Sequence, residues 1–204
     1  MKRKKEDAEM TRRQLLQAAL RIFSEKGYAA ARLEDIAEAA EVTRGAIYHH
    51  FGNKKELFIC LFKERVDPLF DIMTHTLAEN ISPVERIRKM LLVSFRKMKE
   101  DKDFSATQRL DLIEFKLKHE IKELHEYVRE RGKNLQRMIL PLIQSGMRAG
   151  ELRNDIDAGT ISSAIFTYIA GYRFMVDVEK EEKLFELNME SIVDVMINGF
   201  KKQE

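Results

Sequence analysis

The chain has 204 residues, of which 44% are hydrophobic and 34% are charged, a composition typical of a folded globular protein rather than a disordered one. The net charge of +2 excludes a generally basic protein, and the single cysteine, Cys60, excludes an intramolecular disulfide and suits a cytosolic protein. No apolar run approaches the roughly 20 residues of a membrane span, and the helical spacing of apolar residues predicts an all-α fold.

The first predicted helix covers residues 11–26 and follows a basic N-terminal cluster. Thr11 and Gln14 form a candidate capping box at its start, and Gly27 ends it. The basic cluster at residues 2–5 is interpreted either as an arm that follows a DNA backbone or as a solvated tail. The buried stripe of this helix is expected to contain Leu16, Ala19, Leu20 and Phe23.

Two short helices joined by a tight turn come next and form a candidate helix-turn-helix. Apolar spacing predicts the first at residues 34–40, and Thr43 is placed to cap a second at residues 44–51. In such units the N-terminal end of the second helix approaches base edges in the major groove, which selects Thr43, Arg44 and Gly45 as DNA contacts. Arg44 can make a bidentate contact with guanine, and glycine at 45 lets the backbone come close.

The start of the fourth helix carries an electrostatic conflict. Asn53 and Glu56 form a candidate capping box, yet Lys54 and Lys55 fill the first turn, where cations oppose the helix dipole. A phosphate bound there removes the conflict, since helix N-termini and lysines both attract it. The alternative is two solvated lysines, and the sequence leaves both open.

The remaining chain predicts a larger helical region. The fourth helix reaches Pro68, which kinks or ends it, and Ser82 with Pro83 signals a helix that continues to about residue 98. Further helices are predicted at residues 107–118, from there to 149 with a bend at Pro141, and at 156–178 and 181–200. The helix at 156–178 is apolar almost all round, which indicates burial on several sides and, in a chain of this size, a subunit interface.

Residues 13–57 closely resemble the DNA-binding domain of the tetracycline-repressor (TetR) family. Two positions depart from the family pattern: Glu41 stands where glycine is usual, and Arg32 stands at the usual Thr or Ser cap of the second helix. Glu41 indicates either a turn that needs no positive φ or local strain. The matching residues are Ala18, Ala19, Phe23, Gly27, Tyr28, Ile36, Ala37, Ala40, Val42, Gly45, Tyr48, His50, Phe51, Lys54 and Leu57.

The resemblance implies a DNA-binding domain at residues 1–53 and a ligand-binding and dimerisation domain at 54–204. It adds Tyr48, His50 and Lys54 as phosphate contacts, with His49 on the outer face, and Arg32 could replace the phosphate contact of the missing cap. It also implies a homodimer on a palindromic operator, in which the last two helices pair with their mates. The expected interface residues are Ile161, Ile165, Tyr168, Tyr172, Met175, Ile192, Val193, Met196 and Phe200.

The resemblance further implies a small-molecule effector in the C-terminal region. Glu114 and Arg173 are charges on apolar helices, and each must find a partner or water. They pair with each other, reach the surface or anchor a ligand, and the sequence does not choose. The other candidate pocket residues, for each of which plain core packing is the alternative, are Phe95, Met98, Phe104, Leu110, Ile113, Phe115, Met138, Phe166 and Phe174.

The predicted function is a cytoplasmic, nucleoid-associated transcriptional regulator, a repressor released by an effector. The alternative is a DNA-bound structural or protein-partner module with no effector. The sequence shows no catalytic motif and no zinc-helix spacing among its five histidines, so we expect no enzyme activity, metal or cofactor. Cys60 lies in an apolar helical run and is interpreted as an inert core residue rather than a redox sensor.

Overall fold

The computed structural model describes residues 2–104, 106–107, 121–182 and 188–202, and within these ranges it contains helices and no β-strand. The predicted all-α fold is confirmed. The chain divides into two compact units, Met1–Asp67 with Asp103–His125 and Pro68–Lys102 with Glu126–Glu204. The predicted domain division between residues 53 and 54 stays a prediction. The helices are α1 Lys2–Ala30, α2 Leu33–Ala39, α3 Arg44–Phe51, α4 Lys54–Leu77, α5 Pro83–Glu100, α6 Lys122–Arg148, α7 Ala158–Glu182 and α8 Met189–Phe200.

The first unit packs α1, α2, α3 and the first part of α4 around one apolar core. The predicted stripe of α1 is buried, as are Ile36 of α2 and Ile47 of α3. An aromatic cluster joins the end of α1 to α4: the rings of Phe23 and Phe58 meet edge to face at 5.1 Å between centroids, and Tyr28 lies 4.9 Å from Phe58. These contacts hold α1 and α4 together in the core against which the short helices α2 and α3 pack.

The N-terminus is helical from Lys2, so the predicted start at residue 11 and the tail before it are wrong. Thr11 lies inside the helix, where its hydroxyl donates to the carbonyl of Asp7 at 3.0 Å instead of capping a terminus. The preceding segment contains no Gly or Pro and is rich in good helix formers, and Glu9 pairs with Arg13 one turn on. Local propensity therefore extends the helix beyond its candidate cap.

The turn between α2 and α3 closes with a Schellman motif. The N–H of Val42 donates to the carbonyl of Ala37, and the N–H of Glu41 donates to that of Glu38, both at 3.0 Å. This geometry places Glu41 in the left-handed region, with φ of 56°. The expectation that the turn needs no positive φ is wrong, and the alternative of local strain holds. The same motif after α6 has glycine at the equivalent place, Gly150, with φ of 74°.

In the second unit, α5 packs against α7 and α8. The ring of Phe95 stacks on that of Tyr172, with centroids 3.9 Å apart and planes 6° from parallel. Near the surface, Nε of Arg88 on α5 donates to the carboxylate of Asp194 on α8 at 2.8 Å. The ring stack thus joins α5 to α7, and the charged contact joins α5 to α8.

Several helices end or begin at residues other than the predicted ones. The helix α4 continues past Pro68 to Leu77, so the proline does not end it. The helix α7 runs to Glu182, so the predicted break at residues 178–181 is wrong, and α8 begins only after Asn188, whose side chain caps it by accepting the N–H of Ser191. Residues 108–118 of the predicted helix at 107–118 lie outside the described residues. No described helix is long and apolar enough to cross a membrane.

Candidate DNA interface and sensor region

The helix α3 is held to the core by two side chains and presents the others outward. Thr43 caps it, its hydroxyl accepting the N–H of Ala46 at 3.3 Å, and Gly52 ends it with φ of 79°. Its buried residues are Ile47 and Phe51. The predicted bounds and caps are confirmed, and a short, capped helix with one attached edge leaves its N-terminal end open to solvent.

The exposed face begins with Arg44, Gly45 and Tyr48. One terminal nitrogen of Arg44 lies 2.5 Å from the carboxylate of Glu34 on α2, and the other donates to the hydroxyl of Tyr48 at 2.6 Å. The guanidinium also lies 5.2 Å from the centre of the Tyr48 ring. A Cβ at Gly45 would meet only Oγ1 of Thr43 at 3.6 Å, an ordinary contact, so nothing within the chain requires glycine there.

The two histidines at the end of α3 differ in environment. Their rings stack with centroids 5.2 Å apart, and His49 is exposed while His50 is partly buried. Burial lowers the pKa of His50, and the neighbouring His49 and Arg12 lower it further. His50 is therefore held toward its neutral, hydrogen-bonding form.

The lysines at the start of α4 have protein partners, which neither sequence interpretation included. The ammonium of Lys54 donates to the carbonyl of Ala29 at 3.1 Å and lies 4.6 Å from the centre of the Tyr28 ring. Lys55 pairs with Glu123 at 2.5 Å. Lys54 thus satisfies a carbonyl at the end of α1.

Arg12 belongs to this region and was missed from the sequence. Its guanidinium pairs with Glu64, donates to the sulfur of Cys60 at 2.8 Å and lies 5.6 Å from the centre of the Phe51 ring. Burial raises the pKa of the Cys60 thiol, which disfavours the reactive thiolate. Arg12 and Cys60 lie on different helices, α1 and α4, and only the folded structure brings them together. The sequence alone could therefore not reveal this contact.

Arg32, which could replace the phosphate contact of the missing family cap, has an exposed side chain. Asp35 stabilises the start of α2 in its place: its carboxylate accepts the N–H of Arg32 at 3.2 Å and pairs with Lys26 at 2.9 Å. These interactions lower the pKa of Asp35, the contact with Lys26 most strongly. The cap function has moved from the usual Thr or Ser to a carboxylate three residues later.

The candidate effector residues fall into different environments. Phe95 and Met98 are buried in the second unit, and Phe104 is buried but belongs to the first. Phe174 is 58% exposed in the protomer, and its place in an effector pocket stays a prediction. Partly buried positions are Met138, Phe166 and Arg173. The candidates Leu110, Ile113, Glu114 and Phe115 lie outside the described residues.

The predicted interface stripe turns out to lie largely inside the protomer. Five of the predicted residues are buried within the protomer, which leaves little of their surface for a second chain to contact: Ile161, Ile165, Tyr172, Val193 and Met196. Partly buried members are Met175, Ile192 and Phe200. Among the side chains of α7 and α8 that the structure describes, the exposed large apolar ones are Tyr168, Phe174 and Val195, at 38%, 58% and 68%.

Among the described residues, no group of three His, Cys, Asp or Glu side chains could hold a metal ion.

Comparison with known proteins gives two family matches: "Bacterial regulatory proteins, tetR family" over residues 15–60, and "YsiA-like protein, C-terminal region" over residues 62–196. The HTH-type transcriptional regulator TtgR of Pseudomonas putida is 32% identical over 179 residues, with 84% of this chain and 82% of that protein covered.

Two solved structures illustrate the similarity of fold. NalD, the secondary repressor of the MexAB-OprM multidrug efflux pump in Pseudomonas aeruginosa, is 25% identical, with a TM-score of 0.79 over 98% of this chain and 100% of that chain. The regulator FadR from Bacillus subtilis in complex with stearoyl-CoA is 22% identical, with a TM-score of 0.69 over 91% and 95%.

Proposed function

The chain belongs to the tetR family of bacterial regulatory proteins, and on that premise we propose that it represses transcription as a homodimer on a palindromic operator and releases the operator when a small-molecule effector binds. The observation that carries the proposal is the exposed N-terminal end of α3, capped by Thr43 and bearing Arg44 and Tyr48. The protein acts in the cytoplasm, at the nucleoid, and is not an enzyme.

The proposed contacts divide between bases and backbone. Thr43, Arg44 and Gly45 face the base edges, where Arg44 binds guanine bidentately. The unexplained glycine at 45 supports this assignment, because close approach to DNA supplies a reason that the chain's own packing does not. Backbone phosphates are contacted by Arg32, Tyr48, His50 and Lys54, and His49 lies on the outer face of the helix.

Dimerisation places two α3 helices about one DNA turn apart, roughly 34–36 Å, so that they read two half-sites. The exposed residues Tyr168, Phe174 and Val195 form the centre of the proposed interface, in place of the predicted stripe. Aromatic and aliphatic side chains with this exposure lose contact with water when covered by a second copy, which favours association.

Effector release is a population shift. A ligand that binds one conformation of the C-terminal region better than another changes operator affinity, and the operator changes ligand affinity by the same factor. A thermal-shift screen of apolar and amphipathic compounds, stearoyl-CoA among the latter, identifies ligands of the free protein. Ligands that raise the melting temperature and leave operator affinity unchanged contradict the coupling and favour a module without an effector.

The first experiment measures binding of the purified protein to DNA from its own upstream intergenic region, at several salt concentrations, against a scrambled duplex of equal length. We expect salt-sensitive binding with dimer stoichiometry that is far tighter for the upstream DNA. Equal affinity for the two duplexes, from a folded dimer and across the salt series, contradicts local repression and favours the partner-module alternative.

A further inference from the structure

We propose that Glu34 is a specificity-determining residue that acts through Arg44 and lowers the affinity of the protein for non-operator DNA. The inference rests on the proposed function, since it concerns the same DNA interface. Glu34 lies in the first turn of α2, the helix that precedes α3.

Glu34 is the acidic residue of α2 that contacts a side chain of α3, namely Arg44. Its carboxylate lies 2.5 Å from Arg44, whereas Asp35 next to it points to Lys26 and to the N–H of Arg32. The side chains of Glu34 and Arg44 are each 55% exposed. The pair therefore lies at the surface that DNA must approach and is open to exchange with a ligand.

The guanidinium has donors to spare in this arrangement. Arginine carries five N–H groups in a planar fork, and the contacts to Glu34 and Tyr48 use one on each terminal nitrogen. The remaining donors can bind O6 and N7 of guanine while the carboxylate stays in place. On the operator, Glu34 thus keeps its counter-charge and holds Arg44 in a fixed direction.

Non-operator DNA offers no such arrangement. Affinity for it comes from phosphates, and a phosphate bound by Arg44 brings a full negative charge close to the Glu34 carboxylate, whereas O6 and N7 of guanine are neutral acceptors. This like-charge juxtaposition disfavours the complex with non-operator DNA. The repulsion weakens binding to non-operator DNA and leaves operator binding unchanged. Glu34 therefore increases the ratio of operator affinity to non-operator affinity.

The charge-removing variant Glu34→Gln tests this, and Glu38→Gln is its matched control because it makes the same change at an exposed position of the same helix. Dissociation constants are measured for the operator duplex and for a scrambled duplex at several salt concentrations. We expect Glu34→Gln to tighten scrambled DNA by about three- to fivefold more than the operator, the range that an exposed ion pair allows. Glu38→Gln should shift both duplexes alike.

A double-mutant cycle with Arg44→Ala separates action through Arg44 from a general charge effect. In that background, Glu34→Gln should no longer change the ratio of the two affinities. An unchanged ratio in the single variant, or an equal change in the Arg44→Ala background, overturns the inference and leaves the proposed function standing. A wild-type protein that does not discriminate between the duplexes overturns the proposed function and the inference together.

Discussion

Replacing Glu41 by glycine should stabilise the protein, because Glu41 holds a backbone conformation that costs energy for any residue with a Cβ. Its φ of 56° lies in the left-handed region, where an L-residue pays roughly 1–2 kcal/mol relative to the right-handed one. Glycine removes that cost, but it also makes the unfolded chain more flexible. The added entropy of the unfolded state reduces the free energy of unfolding by about 0.4–1 kcal/mol. The net gain for Glu41→Gly is about 0.5–1 kcal/mol.

Thermal unfolding measures this gain. For a domain the size of the first unit, it corresponds to a rise in melting temperature of about 2–8 °C. The variant Glu41→Ala is the control, because it removes the carboxylate and keeps the Cβ and its strain. The variant Gly150→Ala is the reverse test, since Gly150 occupies the same place in the Schellman motif after α6 and should lose stability. A gain of equal size in Glu41→Ala, or no gain in Glu41→Gly, refutes the conformational explanation.

Three further predictions concern DNA binding, pH and assembly. The variant Arg44→Ala should weaken operator binding and relax selectivity at one base pair, which a panel of singly substituted operators measures; unchanged selectivity removes Arg44 from base contact. Because burial lowers the pKa of His50, the unfolded chain takes up its proton first as the pH falls below about 6.5. The stability that neutral His50 contributes is therefore present above that pH and lost below it. The melting temperature of the wild type should then fall more between pH 7.5 and pH 5 than that of His50→Gln. An equal fall in both proteins contradicts a contribution from neutral His50. The variant Val195→Glu should shift the dimer toward monomer in analytical ultracentrifugation and weaken operator binding, whereas an intact dimer excludes Val195 from the interface.

The helix-turn-helix could be predicted almost to the residue because its determinants are local. The cap at Thr43, the stop at Gly52 and the spacing of Ile47 and Phe51 all lie within ten residues, and the structure confirms them. The partners of Lys54 could not be predicted in this way. They come from Tyr28 and Ala29, more than twenty residues away, and only the folded core brings them together.

The outward face of α7 could not be read from its sequence. A helix that is apolar almost all round gives no contrast between its faces, so spacing alone cannot say which side meets the core. The stripe chosen from the sequence contains Ile161, Ile165 and Tyr172, which the protomer itself buries, while Phe174 on the same helix is exposed. The stacking of Tyr172 on Phe95 decides the orientation, and that contact joins residues far apart in the chain.

The attachment of α3 to the core through one face affects how the operator specificity of the regulator can change in evolution. Ile47 and Phe51 hold the helix, and Arg44, Gly45, Tyr48 and His49 are exposed. Exposed positions away from special features tolerate substitution with little change in stability. Duplicated copies of such a gene could therefore acquire new operators by changing residues 44, 45, 48 and 49 while the core stays fixed. The same separation makes α3 a practical place to exchange outer-face residues between relatives when building regulators with new targets.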